Sequence, residues 1–157
     1  MGRTPEELMA YTIELSRIGM RDKGWSPFAA IIVKDGEIVG EGCNDTTDSH
    51  DPTAHGEVLA IRDATSKLGT ADLSGCEIYT SCEPCALCVA AIWWAKLDKV
   101  YYANTLEDCA ALGVDCYPLV EHISRPIGER DIPEERLLGP EAHAVLKDWV
   151  PADFVRR

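Results

Sequence analysis

His55-Gly56-Glu57, followed further along by Pro84-Cys85-Ala86-Leu87-Cys88, is the pairing that decides how this chain reads. It supplies one imidazole and two thiols in metal-ligand spacing, with a carboxylate two residues from the imidazole. A zinc ion held by His55, Cys85 and Cys88 keeps a fourth position open for water. That is the pattern of a catalytic site, whereas a structural site closes with a fourth protein ligand. Glu57 then stands where it can carry protons to and from that water and a bound substrate. Each half alone is weak: His-x-Glu arises by chance, and Cys-x-x-Cys also serves as a redox pair. Together, in this order and with Pro84 directly before the first thiol, they favour catalytic zinc over a redox pair or a closed structural site.

Local signals place these residues on elements. Thr4-Pro5-Glu6-Glu7 reads as a helix start with a capping box, and Leu8, Tyr11, Leu15 and Ile18 fall on one face, so a packing helix is predicted over about 5–21. Phe28–Val33 and Ile38–Cys43 are apolar runs around Lys34-Asp35-Gly36, a hairpin. Thr53 is a candidate cap for a helix to about Lys67, with His55 and Glu57 in its first turn. Residues two apart on a helix diverge, so both reach one metal only if the helix meets it end-on. Cys76–Thr80 reads as a short buried strand, and Pro84 as the opening of a helix over roughly Glu83–Ala95. On that helix Cys85 and Cys88 share a face at the positive N-terminal end. The helix is apolar nearly all round, which predicts burial. Lys99–Ala103 reads as a strand, Leu106–Leu112 as a short helix, Tyr117–Glu121 as an edge strand, Arg125–Pro140 as turns, and Glu141–Trp149 as a last helix. The order α-β-β-α-β-α-β predicts an α/β fold, a mixed central sheet with helices on both faces.

Composition agrees with a single domain over residues 1–157. Hydrophobic residues make up 46% and charged residues 27%, an ordinary globular balance. No apolar run approaches membrane-spanning length and the N-terminus shows no signal-peptide pattern, so no membrane association and a cytoplasmic location are expected. The seven cysteines are read as two metal ligands and five others, Cys43, Cys76, Cys82, Cys109 and Cys116, most of them small buried hydrophobes rather than a disulfide scaffold. Net charge is −12 and the isoelectric point is near 4.6, so nucleic acid is not expected as a partner. His122 and His143 lack any ligand spacing and read as surface or packing residues.

The resemblance goes beyond the ligands. His-x-Glu followed by Pro-Cys-x-x-Cys is the established signature of zinc deaminases, matched here rather than deduced. Asp51-Pro52-Thr53-Ala54-His55-Gly56-Glu57, Thr80-Ser81-Cys82-Glu83-Pro84-Cys85-Ala86-Leu87-Cys88, the hairpin Ile31–Val39 and Ala91-Ile92-Trp93-Trp94-Ala95 resemble the cytidine deaminase superfamily, and within it bacterial zinc-dependent guanine deaminases, over roughly residues 5–120. The resemblance implies a three-layer α-β-α cytidine-deaminase-like fold, zinc as cofactor, and Glu57 as the catalytic acid and base. It implies that Asn44, at the end of the hairpin, binds the base through its carboxamide and that Phe28 stacks on the ring. A turn residue and a core aromatic are the competing readings of those two. The family's Gly-hydrophobic-Asp-Asp run reads Gly113-Val114-Asp115-Cys116 here: Asp115 is the expected substrate carboxylate or a solvated turn residue, and Cys116 stands where a second carboxylate is expected. The end of the chain, Asp153-Phe154-Val155-Arg156-Arg157, lacks the family's terminal Tyr.

These implications give a zinc-dependent aminohydrolase that removes ammonia from a free purine-type base, guanine or a related 2-amino heterocycle. The alternatives are a cytosine or transfer-RNA adenosine deaminase, and a non-catalytic zinc-stabilised binding module. A small heterocyclic base is the expected ligand and a homodimer the expected assembly. Pro126, Pro133 and Pro140 make the segment of about 126–157 a stiff connector suited to exchange with a partner chain.

Overall fold

The structure, a computed structural model, describes residues 2–149. One compact unit runs up to Leu119 and a second begins at Val120. In the first, a four-stranded sheet has the order β2-β1-β3-β4, made of β1 (Ala29–Lys34), β2 (Glu37–Cys43), β3 (Cys76–Cys82) and β4 (Lys99–Asn104). β1 is antiparallel to both neighbours and β3 is parallel to β4, so the sheet is mixed as expected. Asp35 and Gly36 join β1 to β2 with φ of 50° and 81°, both left-handed, the conformation of a tight hairpin turn.

β1 is buried on both faces, and alternation divides its side chains between two cores. Ala30 and Ile32 join Ile78, with Ala60 and Ala64 of α2 (Gly56–Leu68) and Ile92 of α3 (Ala86–Trp94). Ile31 and Val33 join Tyr79, with Leu8 of α1 (Pro5–Lys23). Helices therefore cover both faces, giving three layers.

α1 starts as read: Thr4 and Glu7 exchange hydrogen bonds, the Glu7 carboxylate accepting the Thr4 N–H at 2.8 Å. Its buried face differs from the expected one. Leu8, Thr12, Ser16 and Gly19 face the sheet, while Tyr11 and Ile18 are exposed. Small residues let the helix lie close, and Thr12 and Ser16 satisfy their hydroxyls on the carbonyls of Leu8 and Ile13. Tyr11 instead donates its hydroxyl to Glu41 at 2.8 Å.

The two ligand-bearing helices start later than predicted. His55, not Thr53, is the N-cap of α2, because Thr53 turns both its N–H and its hydroxyl to Asp51. Cys85, not Pro84, precedes the first residue of α3. Nor is α3 buried all round: Cys88 and Ile92 face inward, while Val89, Trp93 and Trp94 are exposed.

After β4 comes α4 (Leu106–Ala111), capped reciprocally by Thr105 and Asp108. Tyr117–Glu121, expected as an edge strand, belongs to the helix α5 (Tyr117–Ser124). The Asp115 carboxylate accepts the Tyr117 N–H at 2.9 Å, and Pro118 suits a first helical turn, where a missing N–H is harmless. In the second unit, Arg125 pairs with Asp131 at 2.6 Å and Arg130 with Glu134 at 2.8 Å, across the turn-rich stretch. His122 lies 3.7 Å from the same Asp131. α6 (Gly139–Trp149) follows, two residues longer at its start than expected. Asp153–Arg157 lies outside the described residues.

Candidate active site

His55 and Cys85 both occupy N-cap positions, and Cys88 lies one turn into α3. Two helix N-termini thus point at one spot, each carrying partial positive charge that favours thiolates. The end-on approach required of His55 and Glu57 is realised: the cap residue projects past the helix while Glu57 sits in the first turn.

The ligand atoms fit zinc. His55 Nδ1 lies 3.5 Å from Cys85 Sγ and 3.4 Å from Cys88 Sγ, and the two sulfurs are 3.8 Å apart. A tetrahedral ion with Zn–S of about 2.3 Å and Zn–N of about 2.05 Å has edges of about 3.6 Å between N and S and about 3.8 Å between sulfurs. Among the described residues this is the one group of three or more potential ligands gathered closely enough to hold a metal. The charges suit a dication as well. Hydrogen bonds with Cys88 and His55 hold the Cys85 thiol down to about 4. The hydrogen bond with Cys85 and burial push Cys88 the other way.

Glu57 is 7% exposed, and burial pushes its carboxyl above the ordinary range. Thr80 gives its hydroxyl hydrogen to the Cys82 carbonyl at 2.9 Å and lies 3.5 Å from Glu57 Oε1. Beside these groups opens a cavity of about 190 Å³. His55, Cys85 and Glu57 line it, as do Phe28 and Asn44. Asn44 is buried and its N–H donates to the Phe28 carbonyl at 2.8 Å, so the two expected base contacts are fastened together by backbone.

Asp115 falls differently. The lining includes Val114 and Cys116 on either side of it, while Asp115 is exposed and engaged with the Tyr117 N–H. Sequence reasoning also left out Cys82, Leu106 and Cys109, which line the cavity together with Glu83, a residue the sequence marks for shaping the thiolate turn rather than for chemistry. Strand alternation placing Cys82 on the face of Thr80, and the spacing of Leu106 and Cys109 on a short helix, are the signals that mark them. Glu83 holds this wall in place: its N–H donates to the Asn104 carbonyl at 2.7 Å and its carboxylate accepts the Leu106 N–H at 2.9 Å.

The chain is similar to known proteins over most of its length. Residues 3–104 match the cytidine and deoxycytidylate deaminase zinc-binding region. A guanine deaminase of Bacillus subtilis is 44% identical over 92% of each chain, and the crystal structure of guanine deaminase from that organism superposes with a TM-score of 0.90, covering 99% of this chain and 98% of that one. The structure of a guanine deaminase from Nitrosomonas europaea has a TM-score of 0.70 at 31% identity, covering 94% of this chain and 85% of that one. A tRNA-specific adenosine deaminase of Aquifex aeolicus is 44% identical over 52% of this chain and 54% of its own length. Set beside the tetrahedral spacing of its ligand atoms, these matches mean that the chain belongs to the cytidine and deoxycytidylate deaminase family and is a zinc-dependent aminohydrolase.

Proposed function

We propose that this protein deaminates a free purine-type base, guanine or a related 2-amino heterocycle, releasing ammonia. The observation that carries the reading is the cavity of about 190 Å³ lined by Glu57, Phe28 and Asn44 together with His55 and Cys85 of the three-residue ligand group. The guanine deaminase relatives, which match nearly end to end, support it. His55, Cys85 and Cys88 hold the zinc, which when bound supplies Lewis acidity and lowers the pKa of water. Glu57 accepts one proton from the attacking water and passes it to the ring nitrogen. It then takes the second from the hydroxyl now on the ring carbon and passes it to the amino group, which leaves as ammonia as the ring carbon becomes a carbonyl. Burial raises the pKa of the Glu57 carboxyl, which favours its taking up a proton during the reaction. Asn44 reads the base edge, donating and accepting at once, and Phe28 lies against the ring. Asp115 is the further group proposed for substrate, in addition to its bond to Tyr117.

Net charge of −12 supports a small base over an RNA, and Cys116 in place of a carboxylate favours an analogue over guanine itself. The similarity to a tRNA adenosine deaminase over half the chain keeps that substrate as the second reading. Ammonia release from guanine, guanosine, cytosine, ammeline and an adenosine-containing anticodon stem-loop separates them. Turnover of the stem-loop with every free base refused overturns the proposal. A protein that retains zinc and turns over none of the panel is the binding module instead.

A homodimer is part of the same reading, with residues 1–157 forming one deaminase domain whose segment after Pro126 exchanges with the partner. The exposed Val89, Trp93 and Trp94 on α3 support an assembly that covers them. Light scattering showing a monomer at all working concentrations removes it. The absence of any helix long and apolar enough to cross a membrane among the described residues, and seven unpaired cysteines, support a role in cytoplasmic purine catabolism. Fractionation of cells expressing a tagged chain checks the location, and recovery of the protein outside the cytoplasm refutes it.

A further inference from the structure

We propose that Cys82 and Cys109 are an oxidisable dithiol in the cavity wall, and that their disulfide weakens binding of the base. Neither is a metal ligand. Cys82 ends β3 and Cys109 lies in α4, 27 residues on, yet their sulfurs are 2.9 Å apart, against roughly 2.05 Å for a formed disulfide. Bonding therefore needs less than an ångström of side-chain movement. The two elements are held in register around the pair. Glu83 fastens the start of α4 to the turn after β3, and Thr105 and Asp108 cap that helix reciprocally. Both thiols are buried from bulk solvent, and both line the cavity. An oxidant must therefore be small and uncharged enough to enter where a base enters. Hydrogen peroxide meets that requirement; a bulky disulfide such as oxidised glutathione does not.

The chemistry balances. One sulfur attacks peroxide, the S–O bond forms as the O–O bond breaks, and one water leaves, giving a sulfenic acid. The second sulfur attacks the first, the S–S bond forms as the S–O bond breaks, and the oxygen leaves as a second water with the thiol proton. Two thiols lose two hydrogens and two electrons, and one peroxide becomes two waters. Burial pushes the Cys82 thiol above the ordinary range, which disfavours its thiolate. Cys85 and Cys88 differ in kind, because their sulfurs serve the metal. Once joined, β3 and α4 can no longer move apart at the wall carrying Leu106 and Cys109, and two thiols vanish from the lining.

The test treats zinc-loaded protein with excess hydrogen peroxide, alkylates the remaining thiols, and reads intact mass, non-reducing peptide maps, zinc content and steady-state kinetics. The expected result is a loss of two hydrogens, a peptide linking Cys82 to Cys109, one zinc retained per chain, and a KM raised several-fold, all reversed by dithiothreitol. Cys109→Ser and Cys82→Ala, each compared with its own untreated sample, should show neither the link nor the change in KM. Alkylation of both thiols after peroxide, a link from Cys109 to Cys116, or a Cys85–Cys88 link with zinc lost overturns the dithiol. A formed link with KM unchanged overturns its effect on the base. The kinetic arm rests on the deaminase reading; the mass and zinc arms do not, so the two failures are distinguishable.

Discussion

Gly42→Ala tests whether the closeness of one helix to the sheet sets the metal site. Gly42 lies in β2 beneath the first turn of α2. A Cβ there would sit 2.5 Å from Ala60 N and 2.8 Å from Leu59 Cβ, and closest of all to the Gly56 carbonyl oxygen. Ordinary contact begins at 3.4 Å, so the amide nitrogen alone is 0.9 Å too near. Helix backbone cannot swing aside as a side chain does, so α2 must move. Overpacking of this kind costs about 1–3 kcal/mol of stability. The move also carries His55, the cap of α2, and Glu57 in its first turn. The His55 Nδ1 edges of 3.4 and 3.5 Å already match the roughly 3.6 Å of a tetrahedral zinc site, so a stretch of that size leaves the tolerated range. A misplacement of about 1 Å costs on the order of a hundredfold in turnover. Urea unfolding, zinc analysis and ammonia release on the variant should therefore show all three losses. Gly40→Ala is the comparison: its Cβ meets Ala60 O at 2.5 Å and Ala64 N at 2.7 Å, farther along the helix from the ligands. It should lose similar stability with a milder loss of turnover. If Gly42→Ala is destabilised but keeps parental zinc content and turnover, helix position does not set the site.

Cys85→Ala should lose nearly all its zinc on purification, since it removes one of three ligands, and full retention of metal excludes Cys85 from the ligand set. Glu57→Gln should keep the zinc and the fold and lose about a hundredfold to ten-thousandfold in turnover, because the amide keeps the size and cannot shuttle protons. Ammonia release near the parental rate assigns the proton transfer elsewhere. Asp72→Asn should be slightly less stable at neutral pH, since Lys96 at 2.7 Å and Ser74 hold the Asp72 carboxyl below its ordinary 3.8. A lowered folded-state pKa stabilises above the ordinary value and fades as pH falls below it. The two unfolding curves should therefore converge in acid, and a constant offset at every pH contradicts the pairing.

What the sequence made legible was local. The Asp35-Gly36 turn and the Thr4–Glu7 capping box are written in a few consecutive residues, and both appear as read. The layers and the mixed sheet followed from element order, and the ligands came together because ligand chemistry is carried by residue type and spacing. The readings that failed needed a partner distant in the chain or a choice between equal local signals. Thr53 and His55 compete as caps, and Asp51 decides by engaging Thr53. Tyr117-Pro118 has both strand-edge and helix-start readings, and Asp115 tips it to helix. The inward face of α1 is its small-residue face because the sheet is close, which periodicity of apolar residues alone cannot reveal. The wall of Leu106, Cys109 and Val114 exists only once α4 has folded back beside β3.

His55 and Cys85 are separated by 30 positions, and the intervening chain contains α2 and β3. A metal held at both ends is therefore a reversible staple across the segment that carries α2 and β3, present in the folded chain and absent from the unfolded one. By mass action it adds about 2.7 kcal/mol when free zinc stands at about one hundred times its dissociation constant, and about 4.1 kcal/mol at about a thousand times. The unfolding free energy is then a function of free zinc concentration, and a chelator in the buffer makes it a measurement on a different thermodynamic species. The shift of the denaturation midpoint with buffered zinc reads the metal affinity directly, with no substrate present.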